Sequence, residues 1–547
     1  MIEIKFAAMG WSLSFPSFMT GYGSVQRDAS TEQDKNDYPV SSATIVELSN
    51  IPTHSSDESA EKPKLPLIVR IDDAIERLGM GRFQLEILMA AGLCFAADAM
   101  EVLLLSFLAV ILQVEWNLSV RHTNSIIAAV FAGAMIGTLI LGPLGDKIGR
   151  KPVFSLTAAI IAIFGLGSAA VPNYEWFLLT RFMVGFGVGG LTVPFDTLAE
   201  FVPTSHRGRN LLYIEFFWTG GTLLVPILAW WSLGQRGSWQ TFVVVCAVPC
   251  VLSTILGLIY VPESPRWLLT KGRHDKAVRI LREAARRNNK DPFAVFPEGT
   301  ELIDGETKGS AHASIGELFS PQWRKITLLL WGVWFGLAFL YYGVIFAVSM
   351  VFSEHQVEDD FGHGGHYEFD YSAILISASS EVVGLIIVLM TIDKWGRIAT
   401  QTVTYIGGGT SCLLLGCLAS VDASRNVLIF LAFLARMFMM GGSCTTWVST
   451  TEILPTEIRA TGHSAANALA RIGGFLCPYI ISEGTSLRAI GVFIFAVSMV
   501  TGLISWLLPE TQGKALGEAQ SSNASHSLPR PITSTDNENP GSPREIL

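Results

Sequence analysis

Along this chain the polar positions are separated by long apolar runs. Twelve stretches bounded by charge or turn residues each reach the ~20 residues that a helix needs to cross ~30 Å of hydrocarbon. They cover 85–112, 123–144, 152–171, 176–200, 209–232 and 239–261, then 325–352, 372–392, 399–419, 426–450, 461–483 and 487–508. A polar segment, 262–324, divides six from six. Within it, residues 275–289 place Ala277, Ile280, Leu281 and Ala284 at helical spacing beneath basic residues. That pattern predicts a surface helix lying against the membrane or the bundle. The whole pattern predicts an all-α polytopic membrane protein of twelve transmembrane helices. Its parts are a disordered cytoplasmic tail (1–80), a six-helix half (81–261), a cytoplasmic central loop (262–324), a second half (325–514) and a disordered tail (515–547).

Composition sharpens this reading. The chain has 547 residues, 50% hydrophobic and only 16% charged, which fits a bilayer-embedded protein. The net charge of −9 is uneven, with acids in the N-terminal tail and bases in the central loop; no nucleic-acid partner is implied. Residues 1–20 carry Glu3 and Lys5 and lack the clean apolar core of a signal peptide. All seven cysteines fall within predicted spans without metal-ligand spacing and read as packing residues. Lys147, Arg150, Lys151, Arg207, Lys394, Arg397, Arg459 and the cluster from Arg266 to Lys290 share one set of loops, whereas the opposite set holds Arg121, Arg236, Arg425 and Arg488. The positive-inside rule then puts both termini and the central loop in the cytoplasm, in a plasma or endomembrane protein. A sequon at Asn117 falls on the outer side. His363 and His366, in the acidic outer loop 353–371, read as part of a hydrated cation-attracting surface, so no metal or cofactor is expected.

The halves repeat one another at an offset of about 250 residues. Asp146-Lys147-Ile148-Gly149-Arg150 returns as Asp393-Lys394-Trp395-Gly396-Arg397, and Arg181-Phe182-Met183 returns as Arg436-Met437-Phe438. Glu200-Phe201-Val202-Pro203-Thr204 returns as Glu452-Ile453-Leu454-Pro455-Thr456, and Pro262-Glu263-Ser264 as Pro509-Glu510-Thr511. Four matches in register imply duplication, and duplicated halves with a site between them describe an alternating-access carrier. These motifs resemble the major facilitator superfamily in its sugar-porter-like branch. More narrowly, residues 97–101, Tyr341-Tyr342-Gly343 and Glu215-Phe216-Phe217-Trp218 resemble synaptic-vesicle-2-related proteins and bacterial nicotinate permeases. Helix seven lacks the Gln-rich and Asn motif of hexose porters, which argues against a sugar.

Intramembrane charges supply the candidate chemistry. Asp98 lies about 13 residues up helix one, ~20 Å from its cytoplasmic end. Arg181 reaches a similar height on helix four. The resemblance implies a helix-one Asp paired with a helix-four Arg that protonation releases; a static ion pair is the alternative. Glu101, at i+3, shares the proton, lines the path or is simply hydrated. Arg471 is always charged and needs an anion: the carboxylate of a solute or, equally, Glu381 in a structural pair. Tyr341, Tyr342, Trp218 and Glu215 complete the predicted solute site, with Trp331 and Trp334 as further aromatics and Asp196 as a further carboxylate. Pro194 should bend helix four. The four glycines Gly185, Gly187, Gly189 and Gly190 read as packing notches. Asp146, Arg150, Glu200, Arg207, Asp393, Arg397, Glu452 and Arg459 sit at helix ends, where the resemblance implies a cytoplasmic gate of acid–base pairs that latches the halves together when the carrier faces outward; an orientation signal of solvated charges is the alternative. Without a nucleophile–base set or metal motif, an enzyme is not expected. The sequence points to a monomeric carrier in the lipid bilayer, proton-coupled, with an organic anion such as a nicotinate-like carboxylate as its solute. A sugar, polyol or organic cation carrier, or a non-transporting receptor with a transporter fold, is the rival.

Overall fold

The computed structural model describes residues 2–6, 11–15, 67–203, 211, 213–234, 238–303, 315–353, 369–421, 423–454, 456–482 and 484–512. Its long helices follow the apolar runs. In the first half they are α1 (Arg82–Glu115), α2 (Val120–Ile148), α3 (Arg150–Gly167), α4 (Tyr174–Ala199), α5 (Tyr213–Gly234) and α6 (Trp239–Tyr260). In the second they are α7 (Arg324–Val351), α8 (Tyr371–Trp395), α9 (Arg397–Ala419), α10 (Arg425–Ile453), α11 (Thr456–Ile480) and α12 (Leu487–Trp506). Eleven of these are long and apolar enough to cross a membrane by composition. The exception is α11, which carries Arg459, His463 and Arg471.

Close backbone approach explains the glycines of α4. A Cβ at Gly185 would sit 1.9 Å from the Val130 carbonyl oxygen, and one at Gly189 2.2 Å from that of Ala134. Helices α2 and α4 therefore touch backbone to backbone, as the notch pattern predicts. α4 is also interrupted, one helical piece ending at Gly189 and the next starting at Thr192, so the break falls just before Pro194.

The repeated motifs share one piece of local structure. Gly149 and Gly396 turn the chain between consecutive helices at φ of 114° and 89°, a region that favours glycine. The turn brings a distant carboxylate onto the bare start of the next helix. Glu263 Oε1 accepts from the Arg150 amide (2.7 Å) and the Lys151 amide (3.3 Å). Glu510 accepts from the Arg397 amide (2.9 Å) and the Ile398 amide (3.0 Å). Each acid thus satisfies orphan donors and complements the positive helix end. A Cβ on either glycine would strike that carboxylate, at 2.3 Å from Glu263 and 2.6 Å from Glu510.

Two stretches of the expected N-terminal tail are ordered. Strand β1 (Ile2–Phe6) pairs antiparallel with β2 (Trp11–Phe15) in a unit of its own. The tail ends earlier than residue 80. Strand β3 (Ile68–Arg70) pairs parallel with β4 (Glu301–Ile303), and the following helix, Ile71–Leu78, buries Ile71, Ala74, Ile75 and Leu78. Those positions are i, i+3, i+4 and i+7, an amphipathic face too short to stand out beside the spans. The central-loop helix runs His274–Arg287 and buries Ala277, Val278, Leu281, Ala284 and Ala285. It packs on the bundle: Asn288 Oδ1, just beyond its end, accepts from the Phe83 amide (2.9 Å) at the start of α1.

Candidate functional site

Between the halves lies a cavity of about 330 Å3. The first half contributes Phe95 and Asp98 from α1, Phe195 and Asp196 from α4, and Glu215 and Trp218 from α5. The second contributes Trp334, Tyr341 and Tyr342 from α7, Met440 and Trp447 from α10, and, from α11, Ser464 with four further polar residues. Those four, Arg459, His463, Asn467 and Arg471, follow one another at i+4 and so share a helical face. Their spacing is the one signal in the sequence that reveals α11 as a polar wall. Of the predicted solute-site residues, Arg471, Tyr341, Tyr342, Trp218 and Glu215 meet here; Glu381 does not.

Asp98 is 5% exposed and has no hydrogen bond or ion pair within 4.0 Å among the described residues. The cation acting on it is Arg471, which also interacts with the Tyr342 hydroxyl. Among the described residues, the buried Arg471 Nε has no hydrogen-bond partner. The predicted pairing of Asp98 with Arg181 is therefore replaced: Arg181 Nη1 donates to Glu101 Oε1 at 2.6 Å and its Nη2 donates to Ser168 Oγ. This pair lies beside a separate void of about 20 Å3, lined in part by Ala97, Ile161 and Cys246. Glu101 rather than Asp98 faces α4 because i and i+3 differ by about 60° around a helix of 3.6 residues per turn.

The second predicted constellation is also rearranged. Glu381 pairs with Arg436 rather than Arg471, Oε1 accepting from Nη2 (2.6 Å) and Nε (3.2 Å). Both side chains are sealed, at 1% and 2% exposure. The sequence marked Arg436 only as the repeat of Arg181, and nothing in its spacing linked it to α8. In the cavity wall, Trp218 Nε1 donates to the Tyr341 hydroxyl at 2.7 Å.

At the ends bearing the basic loops, the gate charges form two clusters, each inside one half. Arg150 meets Asp146 (2.9 Å), Glu200 (3.3 Å) and Asp196 (3.6 Å). Arg397 meets Asp393 (2.8 Å) and Glu452 (2.9 Å). These contacts tie neighbouring helices of the same half; the latch between halves belongs to the outward-facing state, and in this conformer no ion pair among the described residues joins the two clusters. Arg459 lines the cavity, its Nε donating to the Leu454 carbonyl (3.1 Å). Arg207 lies outside the described residues, as do His363 and His366.

The opposite ends are closed across the halves. Ser106 Oγ on α1 and Ser349 Oγ on α7 are 2.9 Å apart, Ser125 on α2 lies 3.4 Å from the Tyr479 hydroxyl on α11, and Phe107 stacks edge-on against Phe369. Toward the basic loops the cavity runs down to Asp196, Thr451 and Arg459, narrowed where Phe195 approaches Trp447 (5.9 Å between ring centres). Among the described residues, the cavity is thus closed at one end and extends toward the other.

Two six-helix halves around a central, largely apolar cavity with a few polar groups have the architecture of a transporter of the major facilitator fold. The chain belongs to the family described as "Sugar (and other) transporter", whose profile matches residues 38–522. It is an integral membrane protein and a carrier, not an enzyme. It is 32% identical over 465 residues to the synaptic vesicle 2-related protein of Pongo abelii, covering 82% of each chain. It is 33% identical over 494 residues to the organic cation/carnitine transporter 7 of Arabidopsis thaliana, covering 83% of this chain and 97% of that one. Among solved structures, the inward open conformation of the xylose transporter XylE from E. coli superposes with a TM-score of 0.61 at 19% identity, over 80% of this chain and 99% of that chain.

Proposed function

We propose that the protein is a proton-coupled carrier of a small organic solute bearing a carboxylate, with Asp98 as the proton site and Arg471 as the receptor for the anion. The carrying observation is their shared cavity, in which Asp98 has no hydrogen bond or ion pair among the described residues and Arg471 is the cation acting on it. Ionised Asp98 offsets the positive charge of Arg471 across the shared cavity. Protonation removes that competitor and frees a planar guanidinium to take a solute carboxylate in two parallel hydrogen bonds. Proton and anion then cross together as a neutral pair, avoiding the cost of an uncompensated charge in the bilayer. The rings of Trp218, Tyr341 and Tyr342 offer faces for a planar solute. Glu101 and Arg181 act one turn away, fixing the rotation of α1. Both termini are cytoplasmic, in the plasma membrane or an endomembrane vesicle, and the protein works as a monomer, since a single chain encloses the cavity.

The test is uptake into proteoliposomes across an imposed pH gradient, with nicotinate as the first probe beside a panel of cations and sugars. Asp98→Asn should keep counterflow exchange and lose gradient-driven accumulation. Arg471→Lys should weaken apparent affinity for the anion at least tenfold, about 1.4 kcal/mol. Flux of the anion that ignores the pH gradient overturns the coupling; no flux of any compound supports a receptor role.

One observation favours an organic cation instead. Glu215 lines the same cavity next to Trp218 and has no ion pair or hydrogen bond among the described residues. A carboxylate beside aromatic faces suits a cationic solute, and the Arabidopsis relative is named for organic cations and carnitine. Loss of uptake confined to cations in Glu215→Gln would establish this reading over the first.

A further inference from the structure

The sealed Glu381–Arg436 pair is buried beside the cavity and plays no part in the solute site. Arg436 donates both of its bonds to Oε1, leaving Oε2 free for a partner outside the second half. That partner is Thr222 of α5, whose hydroxyl lies 3.0 Å from Oε2 and 2.9 Å from the Thr219 carbonyl. A second route to the same carboxylate runs through the cavity wall. The Tyr341 hydroxyl interacts with Glu381 and accepts from Trp218, one turn before Thr222 on α5. The repeat-related Arg181–Glu101 pair differs. Its bonds to Glu101 and Ser168 stay within the first half, so it does not register how the halves lie relative to each other.

We infer that Glu381, held by Arg436, is a positioning residue of the transport cycle: its free oxygen fastens α8 to Thr222 of α5 and stabilises the conformer whose cavity opens toward the basic loops. The bond is charge-assisted and shielded from water, which makes it strong for a single contact. It joins two helices that must separate when the halves rock, so it has to break in each cycle. Solute engaging Trp218 or Tyr341 perturbs the second route to the same carboxylate and so reaches the fastening without touching it. The inference rests on the carrier reading but not on the identity of the solute.

The experiment uses ligand-free full-length protein. Ser106→Cys with Ser349→Cys places thiols at the closed side, where the native hydroxyl oxygens are 2.9 Å apart, and the rate of disulfide formation reports how often that side is closed. Adding Thr222→Val removes the hydroxyl while keeping the side-chain shape; the ratio of closed to open protein derived from the cross-linking rate should fall about tenfold, the effect of losing a hydrogen bond to a charged group. Thr222→Ser should restore it. If the valine is not tolerated, Thr222→Ala removes the same hydroxyl without adding bulk. An unchanged rate in well-folded Thr222→Val or Thr222→Ala protein overturns the inference, even if thermal stability drops, because a purely structural role moves stability alone. Since no solute is present, failure here leaves the Asp98–Arg471 reading intact.

Discussion

Asp98 and Glu101 stand one helical turn apart and meet different fates. Glu101 neutralises a wholly buried arginine; Asp98 faces the cavity without a hydrogen bond. Burying a guanidinium is tolerable only when its charge is matched, and removing the partner of such a pair costs about 3–5 kcal/mol. Glu101→Ala should therefore lower thermal stability sharply in detergent, whereas Asp98→Asn should leave the melting temperature within a few degrees of wild type. Equal losses for both would show that the two carboxylates share Arg181. The sequence put Asp98 and Arg181 at one height and paired them, whereas the structure gives Arg181 to Glu101, because rise along a helix is read from residue number whereas rotation about its axis is set by packing. The same limit hid Arg436: Glu381 was recognised as a buried acid, but which of two arginines reached it depended on how α10 and α11 turn.

At the scale of elements, α11 shows what periodicity can and cannot deliver. Its four-residue ladder of Arg459, His463, Asn467 and Arg471 is visible in the letters once a polar face is looked for, yet the apolar run chosen as its span began at 461 and cut the ladder. The motif glutamates show the reverse case. Residues 262–264 and 509–511 were legible as repeats, but their role depends on a return of more than a hundred residues to the start of α3 or α9. Glu510 gives this a pH signature. Burial raises its carboxyl pKa, but the amides of Arg397, Ile398, Gln512 and Thr511 outweigh that and hold it below the ordinary value. A depressed folded-state pKa adds stability above the unfolded value of about 4.3 and loses it as pH falls through the folded one. Glu510→Ala should thus cost about 1 kcal/mol at pH 7, the scale of a lost helix cap. The difference from wild type should persist down to pH 5 and shrink below about pH 4. A gap that keeps its size at pH 3 would mean that the carboxylate charge is not what the helix start requires.

For the whole molecule, the duplicated motifs made two halves and a cavity between them legible, because duplication constrains architecture more tightly than any one residue does. Which side is closed was not legible, since both conformers of a rocking carrier share one sequence and differ only in contacts between the halves. Those contacts are concentrated opposite the basic loops, at Ser106–Ser349, Ser125–Tyr479 and Phe107–Phe369. Helices this well packed move as rigid bodies around a fixed site, so a covalent tie at one end should stop the cycle everywhere. In Ser106→Cys with Ser349→Cys, oxidation should abolish proteoliposome uptake in proportion to the fraction cross-linked, and reduction should restore it. Solute binding from the basic-loop side should survive the cross-link, because the cavity stays open there. Uptake that continues in fully cross-linked protein would sink the rocking mechanism, since the solute would then have crossed without the far side ever parting.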